Sequence, residues 1–255
     1  MKYIDLNCDV GEMPELLKDG SQEELMRHIS SASIACGGHA GDAEMMQRTV
    51  EQALCHGVSV GAHPGYEDRP NFGRVALQLA PEQIASSVHR QILALENIAA
   101  KCGANIAYVK AHGALYNQAA RNRNIARAIA DGVRQWKPGV ILIGLAGSVM
   151  LEEFRAAGFS VAAEGFADRR YEKDGSLRSR EFADAVLHDP DQAADQALQI
   201  VKEHAVTTAD GSSIPLQADT ICIHGDTPAA ITIAAAIHRK LTASGTTIRA
   251  LTSRK

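Results

Sequence analysis

An alternation of polar and apolar side chains in several short β-prone segments is the strongest constraint on the fold. In Ile4–Asp9 the odd-numbered positions are polar and the even-numbered positions are apolar. Polar or small side chains alternate with apolar ones in the same way in Val58–His63, Tyr108–His112 and Thr220–Asp226. Because successive side chains of a strand point to opposite faces, each segment has one polar and one apolar face.

This two-faced pattern favours a barrel over an open sheet. Parallel strands covered by helices on both sides are apolar on both faces, whereas here one face is polar, increasingly so toward the C-terminal end of each strand. In a barrel, the polar faces line a lumen that opens where barrel enzymes carry their active sites. We therefore expect an α/β fold, a seven-stranded parallel (β/α) barrel, with residues 1–255 forming a single catalytic domain.

Strands alternate with helical patterns along the chain, which is typical of βαβ units and a parallel sheet. We predict strands at Tyr3–Asn7, Ala32–Cys36, Val58–Ala62, Ile106–Ala111, Val140–Leu145, Ser160–Ala163 and Thr220–His224. We predict helices at Gln22–Ser31, Ala43–His56, Pro81–Cys102, Ile125–Trp136 and Asp191–His204. A last helix should begin near Thr227 and Pro228, since proline suits the first helical turn.

Composition and charge narrow the class of protein. Hydrophobic residues make up 45% and charged residues 22% of the 255 residues, a globular composition. The formal net charge of −4 favours neither a nucleic-acid nor a membrane partner. The five cysteines are scattered without a CxxC pair, which indicates reduced thiols. The N-terminal segment has no apolar run long enough for a signal peptide or membrane span, so we expect a cytoplasmic protein.

Two acidic and glycine-rich motifs follow the first two strands. In DLNCDVGE, Asp9 and Glu12 could ligate a metal or act as a general base, or Asp9 could cap the next turn. Asp5 should be a buried, hydrogen-bonded structural residue. In ACGGHAGD, two glycines allow positive φ and close approach to a ligand and present His39 at the barrel mouth. Asp42 is placed to cap the next helix.

The third motif, GAHPGYEDRPNFGR, places His63 at the end of a strand and continues into a long polar loop. Loops of this length in compact domains are usually functional or mobile. Arg69 and Arg74 in this loop could bind a substrate carboxylate or phosphate, or they could pair with surface acids.

The fourth motif, VKAHGALYN, places Lys110 within a strand, two residues before His112. A buried ammonium needs a charged or polar partner, which Asp5, Asp9 or an anionic substrate could provide. Tyr116 and the neighbouring asparagine could add hydrogen bonds.

The last motifs, EGFADRRY and CIHGD, complete a ring of ionisable residues at the strand ends: Glu164, Asp168, Arg169, His224 and Asp226. A single histidine is more often structural than catalytic, but four histidines here occupy equivalent strand-end positions. A divalent metal, Mg or Zn, could bind at Asp9, His39 and His63, although no HExxH or similar spacing indicates one. No phosphate-binding loop, dinucleotide motif or GxSxG elbow is present.

Together, DLNCDVGE, ACGGHAGD, GAHPGYEDRPNFGR, VKAHGALYN, EGFADRRY and CIHGD resemble the LamB/YcsF family, whose members serve as the A subunit of the prokaryotic ATP-dependent 5-oxoprolinase. The resemblance spans essentially the whole chain in the right order, and LRSRE at Leu177–Glu181 is also similar. It implies a barrel of the glycoside hydrolase/deacetylase type. It further implies hydrolysis of 5-oxo-L-proline to L-glutamate with ATP as co-substrate, cleaved to ADP and phosphate, and two partners, the B and C subunits.

A poorly electrophilic lactam needs help from ATP, and one route is phosphorylation of the lactam oxygen, attack of water and ring opening. We expect five catalytic residues, Asp9, His39, His63, Lys110 and His112. Asp9 or a histidine would act as base for the water, because the reference pKa of histidine is ~6.5. Lys110 and Arg69 or Arg74 would hold the carboxylate or phosphoryl group. The expected substrate-binding residues are Asn7, Glu12, Arg69, Arg74, Tyr116, Glu164, His224 and Asp226.

Two other functions remain open at this point. The ring of aspartate and histidine residues also suits a stand-alone metal-dependent deacetylase or amidohydrolase, which would carry a stoichiometric divalent ion. A regulatory or sugar-binding module is the non-enzymatic alternative. Placing so many ionisable residues at the strand ends costs free energy, which binding alone does not require.

Overall fold

The computed structural model describes residues 3–227 and 229–251 and contains a closed barrel of seven parallel strands. In barrel order these are β1 (Tyr3–Val10), β2 (Ser31–Ala35), β3 (Ser59–His63), β4 (Ile106–Lys110), β5 (Ile141–Leu145), β6 (Ser160–Phe166) and β9 (Thr220–His224). Pairing of β1 with β9 closes the barrel, which confirms the predicted fold. Three short strands lie outside it: β7 (Ala205–Thr207) and β8 (Ser213–Pro215) form a hairpin, and β10 (Thr247–Ile248) pairs with the start of β1.

Helices surround the barrel: α1 (Pro14–Lys18), α2 (Ser21–Met26), α3 (Ala43–Cys55), α4 (Pro81–Lys101), α5 (Gly113–Ala119), α6 (Arg123–Trp136), α7 (Val149–Ala156), α8 (Pro190–Glu203) and α9 (Ala230–Ala243). The predicted proline of the last helix, Pro228, lies outside the described residues. Among the residues that the structure describes, no helix is long and apolar enough to cross a bilayer.

Differences from the predicted elements concern lengths, short helices and the short strands β7, β8 and β10, which were not predicted. β1 extends to Val10 rather than Asn7, because it pairs with β9 through Asp5–Asp9 and with β2 through Asn7–Val10, a stagger that needs a longer strand. α2 ends at Met26, since the chain must enter β2 at Ser31. The short helices α1, α5 and α7 have too few turns to produce a clear periodic pattern.

The apolar strand faces meet the helices, as the alternation predicted. Leu6, Ile34 and Ile221 are fully buried in the main core, together with Ile92 and Leu95 of α4. This outer core leaves the opposite strand faces for the lumen.

The lumen has an apolar layer and a structural polar layer below the site. Tyr108, Ile141, Ile143 and Ala162 form a separate buried cluster inside the barrel. Gly61 is required beside it, because a Cβ there would lie 2.2 Å from the Tyr108 ring. Asp5 accepts hydrogen bonds from Ser30, Ser31 and Thr220 hydroxyls at 2.7, 2.6 and 2.6 Å, as its predicted structural role requires. These layers close the lumen below the reactive residues.

Candidate active site

A cavity of 990 Å³ opens at the C-terminal ends of the strands. Eight of the residues assigned from the sequence line it: Asp9, His63, Arg74, Lys110, His112, Tyr116, Glu164 and His224. Three others lie behind its wall, namely the buried side chains of Asn7, Glu12 and His39. The alternation of the strands therefore brings most of the assigned residues to one place.

Lys110 is the centre of the cavity floor. Its ammonium nitrogen lies 2.5 Å from Oδ1 of Asp9 and 3.2 Å from Oε1 of Glu164. It also donates to Oδ1 of Asn7 at 2.9 Å and to Sγ of Cys222 at 3.2 Å. Although burial opposes the charged form, Asp9, Cys222 and Glu164 hold the pKa of Lys110 well above its usual value. The lysine is thus a fixed positive charge with partners inside the protein.

Asp9 is the matching fixed negative charge. Burial alone would favour its neutral form, but His63 and Lys110 hold the pKa of its carboxyl well below the usual value. Oδ2 of Asp9 lies 3.3 Å from Nε2 of His63. An ionised carboxylate next to an imidazole at a cavity wall can accept a proton or orient a water molecule.

The hydrogen bonds of His63 and His112 determine where their protons are. Nδ1 of His63 donates to the backbone carbonyl of Lys110 at 2.8 Å, and Nε2 of His112 donates to the carbonyl of Phe72 at 2.9 Å. Two neutral rings would therefore direct lone pairs at each other from Nε2 of His63 and Nδ1 of His112, which are 2.9 Å apart. A proton or a metal cation bound by these nitrogens would relieve the repulsion between the lone pairs.

Glu12 and His39 support this pair from behind. Oε1 of Glu12 lies 3.0 Å from Nε2 of His39 and 3.2 Å from Nδ1 of His112. Burial opposes the ionised form of Glu12, but hydrogen bonds and charge from His112 and His39 lower its pKa. Burial and the nearby His112 lower the pKa of His39 to about 3. A neutral His39 thus donates to Glu12, and its buried Nδ1 has no hydrogen-bond partner among the described residues.

The loop between β3 and α4 holds His112 and His39 in place. It contains a 3₁₀ helix at Arg69–Asn71, and its Phe72 carbonyl accepts the His112 proton. Gln91 of α4 bonds both the N–H and the C=O of Gly65, at 3.0 and 2.7 Å. The sequence predicted that the backbone at Gly38 approaches a ligand closely. In the structure it approaches the Gln91 side chain, because a Cβ at Gly38 would lie 2.4 Å from the side-chain oxygen of Gln91. The loop is thus an ordered wall of the site.

The donor atoms of Glu12, His39, His63 and His112 could hold a metal ion. Zinc with tetrahedral ligands at ~2.0–2.1 Å would place these atoms about 3.3 Å apart. The observed separations include 2.9 Å for the His63–His112 pair and 3.9 Å between His63 and Glu12. Two of the histidines also donate their other N–H to a backbone carbonyl, as metal-binding histidines commonly do. The residues fit a metal, in a group that joins the predicted His39 and His63 with Glu12 and His112. The predicted Asp9 belongs to a second candidate group, with Cys222 and His224.

His224 and Asp168 form a second acid–base pair, with His224 on the strand next to that of Asp9. Nδ1 of His224 lies 3.0 Å from both carboxylate oxygens of Asp168, which also accepts the His224 backbone N–H at 2.9 Å. Burial opposes ionisation of Asp168, but the charge and hydrogen bonds of His224 lower its pKa. Asp168 therefore fixes the ring tautomer and leaves Nε2 of His224 to exchange a proton. The sequence placed both residues in the ring without linking them, because they are 56 positions apart.

Arg74 and Tyr116 line the cavity at its sides, whereas Asp226 and Arg69 are not part of its lining. Arg74 forms an ion pair with Asp226. The guanidinium of Arg69 donates to the backbone carbonyls of Gly37 and Gly41 and is not part of the cavity lining. Burial and the neighbouring Glu164 raise the pKa of Tyr116 well above its usual value, so its hydroxyl keeps its proton. Tyr116 can thus donate a hydrogen bond in the cavity, whereas Arg69 braces the loop after β2.

Comparison with known proteins identifies the family to which this site belongs. The model of the LamB/YcsF family matches residues 4–255. The chain belongs to the LamB/YcsF family. Its relatives include the 5-oxoprolinase A subunit of Chloroflexus aggregans, 47% identical over 98% of this chain and 99% of the relative. Another, from Bordetella parapertussis, is 46% identical over 97% of this chain and 98% of the relative.

Solved structures agree with this membership of the LamB/YcsF family. The lactam utilization protein of Thermus thermophilus superposes with a TM-score of 0.90 and 41% identity, over 98% of this chain and 100% of that one. The T48 deacetylase superposes with a TM-score of 0.50 at 17% identity, over 97% of this chain and 87% of that one, and supports the barrel fold alone. The resemblance inferred from the six motifs is therefore confirmed.

Proposed function

We propose that this chain is the A subunit of an ATP-dependent 5-oxoprolinase, which hydrolyses the lactam of 5-oxo-L-proline to L-glutamate. The observation that carries the proposal is the presence of two neighbouring acid–base groups in one cavity. One is the Asp9–Lys110–His63–His112 cluster on the floor and the other is the Asp168–His224 pair. The names of the relatives support the same reaction.

Lactam hydrolysis needs one group that removes a proton from water and another that protonates the leaving nitrogen. Water adds OH to the ring carbonyl carbon, and the C–N bond breaks as the nitrogen gains a proton. We assign removal of the water proton to Asp9 or His63, which lie together on the floor. We assign protonation of the leaving nitrogen to His224, held by Asp168. Asn7, Glu12, Glu164 and His39 then act by positioning these groups.

The energy source and partners follow from the same proposal. Transfer of the γ-phosphoryl group of ATP to the lactam oxygen would release ADP and make the ring carbon electrophilic. Attack of water and cleavage of the C–N bond would then leave a γ-glutamyl phosphate, and a second water would hydrolyse it to glutamate and phosphate. We propose that the B and C subunits complete the complex, that residues 1–255 form one catalytic domain, and that the complex acts in the cytoplasm, in line with the free cysteines.

The test is release of glutamate from 5-oxo-L-proline and ATP by the reconstituted three-subunit complex. Asp9→Asn and His63→Gln should each lower kcat by about 100-fold or more, the usual contribution of a general acid or base. Asp131→Asn, an exposed change on α6 that leaves the cavity intact, is the control. Near wild-type activity in both site variants would contradict the assignment.

A stand-alone metal-dependent deacetylase or amidohydrolase is the second candidate, and the Glu12–His39–His63–His112 cluster favours it. Three imidazoles suit zinc better than magnesium, which prefers oxygen ligands. A bound ion would supply Lewis-acid activation of a carbonyl or of water. Metal analysis of the purified chain, followed by chelation and an amide-hydrolysis assay without ATP, decides between the two. Loss of ATP-independent hydrolysis on chelation would favour this second function.

A further inference from the structure

Five arginines line the cavity. Three of them, Arg169, Arg178 and Arg180, lie in the segment after β6, and the other two are Arg74 and Arg121. Three have carboxylate partners, because Arg74 pairs with Asp226, Arg121 with Asp174, and Arg178 with Glu172 and Asp184. Within residues 3–227 and 229–251, no ion pair joins Arg169 or Arg180 to a carboxylate. These two cations therefore bring positive charge to the cavity without a direct ion pair to a carboxylate.

The Arg169 side chain is buried and hydrogen-bonded, although it forms no ion pair with a carboxylate. It is only 4% exposed. Its Nε donates to the Ala185 carbonyl at 3.3 Å and its Nη2 to the Arg178 carbonyl at 2.6 Å. Its own carbonyl accepts a hydrogen bond from Gln196 of α8 at 2.7 Å. Nη1 has no hydrogen-bond partner in the described part of the chain.

The electrostatic environment makes this arrangement unfavourable without a ligand. The adjacent carboxylate of Asp168 is already engaged by His224. Burial and the charge of Arg180 lower the pKa of Arg169 to about 10, although the charge of Asp168 opposes part of this lowering. Burying a cation with neutral partners costs free energy that an anion would recover. Lys110 differs, because Asp9 and Glu164 already balance its charge.

We propose that Arg169 and Arg180 form an anion subsite that binds an oxyanionic group of the substrate, either a carboxylate or a phosphoryl group. The planar guanidinium matches both groups in shape and charge. The subsite adjoins the Asp168–His224 pair in sequence and lines the same cavity, so it would orient the substrate relative to that pair. This inference rests on the proposed function and names the part of the site that binds the anion.

Calorimetric titration of the purified chain tests the subsite without requiring turnover. The probes are 5-oxo-L-proline, 2-pyrrolidinone (the same ring without the carboxylate) and inorganic phosphate. The variants are Arg169→Met and Arg180→Ala, with Arg134→Met on α6 as an exposed control whose guanidinium pairs with Asp131. Arg180 is exposed, so its variant keeps the test valid if Arg169→Met does not fold.

The two sources of anion give different results. If the subsite holds the substrate carboxylate, Arg169→Met and Arg180→Ala raise the Kd for 5-oxo-L-proline by about tenfold or more and leave 2-pyrrolidinone unchanged. If it holds a phosphoryl group, the same variants weaken phosphate instead. Unchanged affinity for both anions in the variants, or no binding of either anion to the wild-type chain at millimolar concentration, overturns the subsite.

Anion binding and glutamate release together distinguish failure of the proposed function from failure of the subsite. If both arginine variants weaken anion binding but the reconstituted complex releases no glutamate, the subsite stands and the 5-oxoprolinase assignment falls. If the complex is active and the arginine variants bind anions as the wild type does, the assignment stands and the subsite falls.

Discussion

Lys110 shows how a single residue can serve both the fold and the site. Its ammonium joins Asp9 of β1, Glu164 of β6 and Cys222 of β9 across the lumen. The sequence predicted that this lysine would need an internal partner, and Asp9 is one of those it offered. Glu164 and Cys222 could not be foreseen as partners, because the barrel closure that brings β6 and β9 to β4 is a long-range feature.

Replacing Lys110 with methionine should destabilise the folded protein. The change leaves Asp9 and Glu164 buried without their cation, and breaking a buried pair typically costs about 3–5 kcal/mol. The pKa of Asp9 would rise without Lys110, so protonation would relieve part of the loss, and the destabilisation should be larger at pH 8 than at pH 5. Urea denaturation at both pH values measures this. Lys101→Met, at an exposed position, is the control, and equal losses at the two pH values would contradict the argument.

Asp168 should act on the reaction only through His224. Asp168→Asn keeps the shape but removes the charge and one acceptor that fix the ring. We expect kcat in the reconstituted complex to fall by about 100-fold or more with KM little changed. The double variant Asp168→Asn/His224→Gln should be no slower than His224→Gln alone, because both changes remove one unit. Additive losses would show that Asp168 has an independent role.

At the scale of elements, the barrel strands were predictable and the short helices were not. The alternation in β1 and β4 identified the lumen face because its period matches that of a strand. The positions of Arg69 and Glu12 were not predictable, since they depend on how the loops after β3 and β1 fold back. Arg69 braces Gly37 and Gly41, which no local pattern indicates.

The contact of β3 with β4 inside the lumen leads to a test of packing. Gly61→Ala would drive a methyl group into the Tyr108 ring, and overpacking of this kind typically costs about 1–3 kcal/mol. Tyr108→Leu in the same chain should recover part of the loss by making room. Ser59→Ala, two residues earlier on the same face, is the control. Chemical denaturation measures the unfolding free energy of the wild type, Gly61→Ala, the double variant and Ser59→Ala. A double variant no more stable than Gly61→Ala would contradict the packing argument.

At the scale of the whole molecule, the buried His39 should make stability depend on pH. Its folded-state pKa of about 3 lies below its ordinary value, so between about pH 6.5 and 3 only the unfolded chain binds this proton. The free energy of unfolding should therefore fall by about 1.4 kcal/mol per pH unit from this group as the pH drops below about 6.5. Asp9, Glu12 and Asp168, with lowered pKa values, add to this loss as the pH falls below their ordinary pKa values of about 4.

Chelator-treated protein, denatured by urea at several pH values from 7.5 to 5, provides the measurement. His39→Gln should reduce the slope of the unfolding free energy against pH by the amount that corresponds to about one bound proton. His56→Gln, a change near the protein surface, should leave this slope unchanged. If the slope of the His39→Gln variant equals that of the wild type, the pKa of His39 in the folded chain is not lowered, and the argument is wrong.

The closure of the barrel through β1 and β9 has a consequence for how this enzyme can be altered. Asn7 bonds Glu164, Thr220 and Lys110, so one amide links four strands that are distant in sequence. Substitutions in this layer should show strong epistasis, because each one changes the surroundings of partners on several other strands. Re-engineering for a different lactam would thus succeed through coordinated sets of changes, or through the loops at the rim, rather than through single replacements in the lumen.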